Sequence, residues 1–428
     1  MERSLELVRS PKLSPVGPKW YRYYAGFDPG FVADICDALG IEEGGSVLDP
    51  WMGSGTTLGV AATRGVEVAG IDLNPAMVVV AKGRLLAADT LSSLEPLGAE
   101  ILSTAGPAEY PGIDPLRHWL DAESTLWTRG LAQQIRRVLT TGDAWPCDVD
   151  DLSSLASFYF VALFEAVTHA LRSYGSRNPT WIKRATAYKG AVELSRSQLH
   201  SAFTASVKRL AVYLRSARNI TPETHDAAVL STGDSRMMPF DESTFEAIVT
   251  SPPYLTRLDY VVGHAPELAL LGFDGSDIRT LRDRMIGTPT RKDDDVAGES
   301  LGAIAEGLLE RVRDHDSYAA RSYYEPNFRQ YFAGMAKSFD EIERVGKPGA
   351  SVLLVVQDSR FKDIHIDLAA ALTSMGEQRG WTPGSRKDFV NVRSMAQLNK
   401  NAHPLARSTK PIESAISFSL PRATGGSA

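Results

Sequence analysis

The chain is poor in cysteine, with only Cys36 and Cys147 among its 428 residues. That excludes a disulfide framework and a cysteine-rich zinc site, and it fits a reducing, intracellular setting. The histidines, among them His118, His169, His264 and His365, lack metal-ligand spacing, so no metal is expected. Apolar runs are short and interrupted, which predicts no membrane span. The opening MERSLELVRSPKLSPVGPKW has no apolar core of a secretory signal, so a cytoplasmic protein is the expectation. A basic excess is missing too: 46 Lys and Arg face 52 Asp and Glu, for a net charge of −6 and a sequence pI near 5.8. Bulk charge therefore excludes a protein that simply coats nucleic acid. What is present is ordinary globular usage, 43% hydrophobic and 23% charged. The length suits roughly two or three domains.

Ser46–Pro50 (SVLDP) reads as a short apolar strand ending in an acid. WMGSGTT and LGVAATRG follow as a glycine loop and a helix, and Val66–Pro75 (VEVAGIDLNP) is a second strand. Strand, glycine loop, helix, strand is the opening of a parallel α/β sheet. From about Thr90 to Asn219 the periodicity is helical, with helices predicted over Leu152–Ser173 and Ala191–Arg218. Strands return at Asp226–Ser235, Phe245–Tyr254 and Ser351–Ser359, and helices at Leu301–Arg313 and Phe328–Arg344. Glu413–Leu420 alternates like a last, edge strand. The fold class predicted is α/β, a Rossmann-like sheet with a large, mainly helical insertion. Residues 1–89 and 226–420 are read as the catalytic domain, 90–225 as the insertion and 421–428 as a flexible tail.

In Asp49-Pro-Trp-Met-Gly53-Ser-Gly55-Thr56-Thr57 the glycines let backbone N–H groups approach a ligand at a helix N-terminus. Asp72, at the end of the second strand, suits ribose hydroxyls. With Gly59 as the third glycine, the spacing is one residue off the dinucleotide fingerprint, and no lysine follows to make a P-loop. An anionic ligand with a ribose is favoured over a bare strand-to-helix turn. S-adenosylmethionine (AdoMet) fits, with its carboxylate at the helix N-terminus and its ribose at Asp72.

Thr250-Ser251-Pro252-Pro253-Tyr254 directly follows a strand. Two prolines keep the chain extended and remove two donors, so the carbonyls there aim outward. The Ser251 hydroxyl and a proline carbonyl can accept hydrogen bonds from an exocyclic amino group. That draws the amine's lone pair out of conjugation and towards an electrophile. Tyr254 offers a stacking face for a planar base. Taken alone, the segment competes with an ordinary proline turn.

Asp-Pro-x-x-Gly-Ser-Gly-Thr-Thr, Gly-x-Asp-x-Asn-Pro and Ser-Pro-Pro-Tyr together resemble the AdoMet-dependent DNA amino-methyltransferases, which methylate N4 of cytosine or N6 of adenine. The resemblance covers roughly residues 20–90 and 226–262, and more loosely 325–420. It implies a methyltransferase sheet and a set of roles. Tyr24 and Phe27, in YAGFDPGF, would pack on the methionine part of AdoMet. Asp49 would sit by its amino group with Thr57 nearby, and Gly53 and Gly55 would line its loop. Asp72 would take the ribose and Asp234 the adenine amino group. Ser251 and the Pro252 carbonyl would orient the target amine, Pro253 would keep the segment extended, and Tyr254 would stack on the flipped base. Flipping is needed because the amine is buried in duplex pairing. Transfer would be direct, with no covalent enzyme intermediate. A serine opening the Ser-Pro-Pro-Tyr motif is, in that family, more typical of cytosine N4 than of adenine N6 enzymes. The implied partner is double-stranded DNA, in restriction–modification or phage defence, with a cognate restriction endonuclease or defence proteins as further partners. An RNA guanine-N2 methyltransferase is the nearest alternative, and a nucleotide-responsive binding protein with a degenerate site is another.

Pro146-Cys147 matches the nucleophile dipeptide of cytosine C5 methyltransferases. Here Asp143, Asp148, Asp150 and Asp151 surround it, and carboxylates raise a thiol pKa, the wrong direction for a nucleophile. Contact with nucleic acid is expected from Thr168–Ile220, where ten basic residues face one acid, Glu193. The candidates are Arg177, Asn178, Trp181, Lys183, Arg184 and Lys189, with Arg257 beside the target pocket or capping a helix. A solvated helix face is the plainer reading of the same charges. Residues 272–325 are a second DNA-contacting candidate. Outside Thr168–Ile220 the chain has 36 basic and 51 acidic residues, so its mild acidity averages a basic insertion and an acidic body.

Overall fold

The computed structural model describes residues 9–11, 19–23, 26–140, 142, 144–176, 181–186, 190–217, 220–255, 259–287, 299–390 and 410–422. Tyr24, Arg177, Asn178, Lys189 and Arg257 lie outside the described residues, as does most of the expected tail.

Nine strands are described: β1 Ser46–Asp49, β2 Glu67–Asp72, β3 Val229–Thr232, β4 Phe245–Thr250, β5 Gly346–Gln357, β6 Ser359–Phe361, β7 Ile364–Ile366, β8 Thr382–Val390 and β9 Ile412–Ser419. Seven of them form one sheet in the order β3-β2-β1-β4-β5-β9-β8, and β6 and β7 make a separate hairpin. The first five pair in parallel, and β9 runs antiparallel to both β5 and β8. This is the doubly wound α/β sheet that the strand–glycine loop–helix pattern predicts, with helices inserted between β2 and β3. Parallel strands covered on both faces read as apolar runs, and Val352–Val356 of β5 are all fully buried.

The sheet departs from expectation at one side. β9 is not an edge strand; it is buried between β5 and β8. The edge is β8, with the sequence TPGSRKDFV and mostly exposed side chains. Proline, glycine and charge hide a strand from pattern reading, and they are what an edge tolerates.

The helix Pro75–Arg84 starts at Asn74, whose side chain accepts from the Ala76 N–H, and all ten of its residues are buried. It is covered twice, by the sheet and by the insertion helix Ser154–Ala170. A Cβ on Gly83 would come within 2.9 Å of the Phe158 nitrogen, so glycine permits that approach. Phe158, Leu163, Phe203 and Leu210 of the insertion join Val78–Ala81 in one apolar cluster. The insertion is therefore fused to the sheet's own core, each buried large side chain contributing about 1.5–3 kcal/mol. The stretch Ser154–Tyr174 is long and apolar enough to cross a membrane, but most of it is buried inside the protein. Lys82, from the same sandwiched helix, is buried and donates to the carbonyls of Val149, Asp150 and Leu152. The helix predicted over Ala191–Arg218 begins later, at Arg196, where Ser195 and Gln198 form a capping box, and ends at Ser216.

Candidate active site

The sheet order reverses between β1 and β4, and in doubly wound sheets the crevice beyond the strands' carboxyl ends at that point receives ligands. Here it is a cleft lined from the ends of four strands. Pro50 and Trp51 follow β1, Asp72 to Asn74 close β2, Gly233 to Ser235 follow β3, and Ser251 to Tyr254 follow β4, all lining it. The fold thus brings Asp72, Asp234 and the Ser-Pro-Pro-Tyr segment to one cavity from three distant parts of the chain.

The glycine loop lies beside the cleft: Pro50 and Trp51 line it, whereas Asp49, Gly53, Gly55 and Thr57 are not among its lining residues. Gly53 and Gly55 have φ of +47° and +69°, a region costly for residues with a Cβ. A Cβ on Gly53 would also meet the Tyr23 ring at 2.6 Å. The Gly53 N–H donates to Asp72 Oδ2 at 2.9 Å and the Asn74 N–H to Oδ1 at 2.8 Å. Asp72 therefore ties the loop to the end of β2. Burial raises its pKa, and the two N–H bonds oppose the rise. Asp49, 3% exposed, accepts from Thr250 Oγ1 at 2.6 Å and from the Trp51 N–H at 3.2 Å. Burial, only partly offset by those bonds, pushes its carboxyl up to about 6. Thr57 Oγ1 is buried without a hydrogen bond of good geometry, yet lies near enough to Asp49 to favour the ionised form. A buried, under-compensated carboxylate beside an orphaned hydroxyl suits a cationic polar group such as the amino end of AdoMet.

The Ser-Pro-Pro-Tyr segment is held from outside its own strand. The Ser251 hydroxyl donates to the Val355 carbonyl of β5 at 2.9 Å. Tyr331 donates to the Pro253 carbonyl at 2.8 Å, and the Tyr254 hydroxyl donates to Glu413 Oε1 of β9 at 3.0 Å. Burial first, then the Glu413 charge, keeps the Tyr254 phenol well above its usual pKa and so protonated. Donation to Val355 occupies the Ser251 proton and leaves its oxygen lone pairs to accept.

Other expected positions fall differently. Phe27 is buried in a cluster with Phe31, Val249 and Leu353, and it is not among the residues lining the cleft. Asp234 lines the cleft, but Arg236 holds its carboxylate in a bidentate pair at 2.9 and 2.8 Å and keeps its pKa low. A ligand amine must therefore share that carboxylate's remaining lone pairs. Tyr331 and Glu413 are not legible in the sequence, whose pattern around them gives no sign of the site; Thr250 opens the proline segment, Arg284 falls in the second DNA-contacting candidate, and Tyr260 closes the stretch that begins at Arg257. Tyr23, one residue before the expected Tyr24, was the nearest signal available.

Trp181 is 47% exposed, and Lys183 and Arg184 are exposed beside it. Two basic residues of the same segment are matched by acids from elsewhere: Arg209 pairs with Glu165, and Arg215 with Glu95 at 2.9 Å. The exposed charge is therefore less than a count along the sequence suggests. Arg282 of the second candidate segment pairs with Asp259 at 2.6 Å, while Arg284 lines the cleft.

Cys147 is buried, and burial more than its neighbouring aspartates pushes the thiol up to about 11. Cys147→Ala is expected to keep methyl transfer within about twofold of the parent, because such a thiol is almost wholly protonated at neutral pH. A loss of tenfold or more in a folded variant would reinstate covalent chemistry.

No protein-family model matches the chain. Its sequence is similar to Type II methyltransferases. M.BsoBI of Geobacillus stearothermophilus is 23% identical, with 85% of this chain and 78% of that protein covered. M.AvaI of Nostoc sp. is 20% identical, with 85% and 78% covered. M.MvaI of Kocuria varians is 23% identical, with 75% and 71% covered. A solved SAM-dependent methyltransferase from Methanosarcina mazei aligns at a TM-score of 0.31 and 10% identity, over 91% of this chain and 97% of that one. A score that low carries no weight, and the fold rests on the strand order.

Proposed function

We propose that this protein is an AdoMet-dependent DNA methyltransferase acting on an exocyclic base amine, cytosine N4 in preference to adenine N6, within restriction–modification or a related defence. The single observation that supports this best is the shared cleft: Asp72, which holds the glycine loop, and Asp234 line one cavity with the Ser-Pro-Pro-Tyr segment that suits an amine. The Type II methyltransferase relatives support the same class. AdoMet supplies an electrophilic methyl group when bound. Asp49, Thr57, Asp72 and the Gly53–Gly55 loop bind it, and Asp234 takes its adenine edge. Ser251 Oγ and the Pro252 carbonyl would accept the hydrogens of the target amine and leave its lone pair for the methyl carbon; the methyl–sulfur bond would break with its electron pair on sulfur, and the amine's extra proton would pass to solvent. The Pro253 carbonyl is already engaged by Tyr331, so Pro252 is the acceptor left to the substrate. Tyr254 stacks on the flipped base, and its anchored hydroxyl fixes the ring plane.

Incubation with tritiated AdoMet and either DNA of varied sequence or tRNA, followed by nucleoside analysis, tests this reading. Label in N4-methyldeoxycytidine is expected. Label in N6-methyladenine would correct the base, and label only in N2-methylguanosine of RNA would overturn the substrate. DNA affinity is expected to fall steeply with salt despite the acidic pI. Exchanging Lys183 and Arg184 together for alanine should flatten the log–log salt slope by about one to two while sparing AdoMet affinity. An unchanged slope would remove this face from the DNA interface.

A further inference from the structure

We propose that Arg84 is a positioning residue for the cofactor loop, completed by Tyr213 from the insertion; the loop's ligand rests on the function proposed above. Arg84 ends the helix Pro75–Arg84 and lies behind the loop, 7% exposed. One of its terminal nitrogens, Nη1, donates to the Ser54 carbonyl at 3.0 Å and to Thr56 Oγ1 at 2.8 Å. The other, Nη2, reaches away from the loop and donates to the Tyr213 hydroxyl at 2.7 Å, with the guanidinium carbon 5.8 Å from that ring's centroid. Ser54 stands between the two left-handed glycines and Thr56 opens the helix after them, so the guanidinium grips the loop at its turn.

Two features say that this contact does more than fill the core. Among the described residues Arg84 has no carboxylate partner, and every acceptor it uses is neutral. A buried cation without a counter-charge costs stability that an apolar side chain would not. Its positive charge, set behind the loop, favours an anionic group in front of it. The second feature is Gly59, the third glycine of the motif, which lies inside the helix Thr56–Ala62 and, unlike Gly53 and Gly55, has no left-handed φ to require glycine. A Cβ there would stand 3.0 Å from Arg84 Cδ and 3.1 Å from Nε. Alanine would suit a helix better than glycine, so the glycine is explained by the passage it leaves for Arg84. Through Tyr213 the insertion thereby braces the cofactor site from the side opposite the cleft.

Hydrogen–deuterium exchange of the peptide spanning residues 52–57, in protein without ligand, tests the strut directly. Arg84→Gln should speed exchange at Gly53–Thr56 about tenfold or more, Tyr213→Phe should do so less, and Gly59→Ala should act in the same direction. AdoMet affinity should weaken about tenfold in Arg84→Gln, with kcat at saturating AdoMet within about twofold and partial rescue by Arg84→Lys. Should Arg84→Gln fail to fold, Tyr213→Phe, which removes one hydroxyl, still decides. Unchanged loop exchange in a folded Tyr213→Phe and Gly59→Ala would overturn the proposal. Altered exchange in a protein that binds no AdoMet would instead keep the strut and overturn the cofactor assignment.

Discussion

Ser251→Ala is expected to lower methyl transfer to DNA by about 10²-fold or more while leaving AdoMet affinity within about twofold. The hydroxyl is placed to accept. It donates to the Val355 carbonyl at 2.9 Å, with the Tyr254 oxygen also within its reach, and in that orientation its lone pairs are left to accept. In the variant, an amine in that cleft loses one of the two acceptors that localise its lone pair. Losing an interaction made more strongly in the transition state lowers kcat and kcat/KM together. The Gly53–Asp72 and Thr250–Asp49 contacts that shape the cofactor side do not involve Ser251. Val355 loses a donor, so stability should fall by only about 1 kcal/mol. Single-turnover transfer and calorimetric AdoMet binding, measured side by side, separate the two effects. Transfer within threefold of the parent would remove Ser251 from the chemistry.

Asp49→Asn should give the opposite pairing, weaker binding with stability kept or raised. The folded carboxyl, at about 6, lies above its ordinary value of 3.8. The folded state therefore favours the protonated form, and ionised Asp49 costs stability above pH 6, a cost that fades as pH falls towards 4. At one unit per 1.36 kcal/mol this is roughly 3 kcal/mol at pH 8, less whatever the new amide loses by finding no acceptor. The melting temperature of Asp49→Asn minus that of the parent should be largest and level above about pH 7 and should shrink as pH falls from 6 towards 4. A difference that does not change with pH would show that Asp49 ionises normally. AdoMet affinity should fall by about 10²-fold in the variant, since a charge pair loses one member. In the parent, affinity should decline as pH drops below 6, because only ionised Asp49 pairs with an ammonium group.

Those two residues also illustrate how far the chain can be read directly. Asp49 and Ser251 each follow an apolar run short enough for a strand, and glycines or prolines punctuate what comes next. Local backbone rules act over a few residues, so the glycine loop, the strand-end acids and the extended proline segment are all legible. Tyr331 and Glu413 are not: they reach Pro253 and Tyr254 across 78 and 159 residues of chain. Neither sits in a pattern that differs from an ordinary amphipathic helix or buried strand. The basic segment shows the same limit, because Arg209 and Arg215 meet Glu165 and Glu95, acids outside the window in which the charge was counted.

The sequence by itself determined the kinds of chemistry available: left-handed glycines at a strand end, carboxylates after two strands, and a donor-free carbonyl segment after a third. It determined the α/β class through the same short periodicities. Tertiary structure alone decided that β9 is interior and β8 the edge, that Asp234 is shared with Arg236, and that the insertion is welded to the sheet through Gly83 and braces the loop through Tyr213. The reason is range. Dihedral preference and alternation are set by neighbours in sequence, whereas burial, strand order and the partner of a buried charge depend on residues brought together only when the sheet closes.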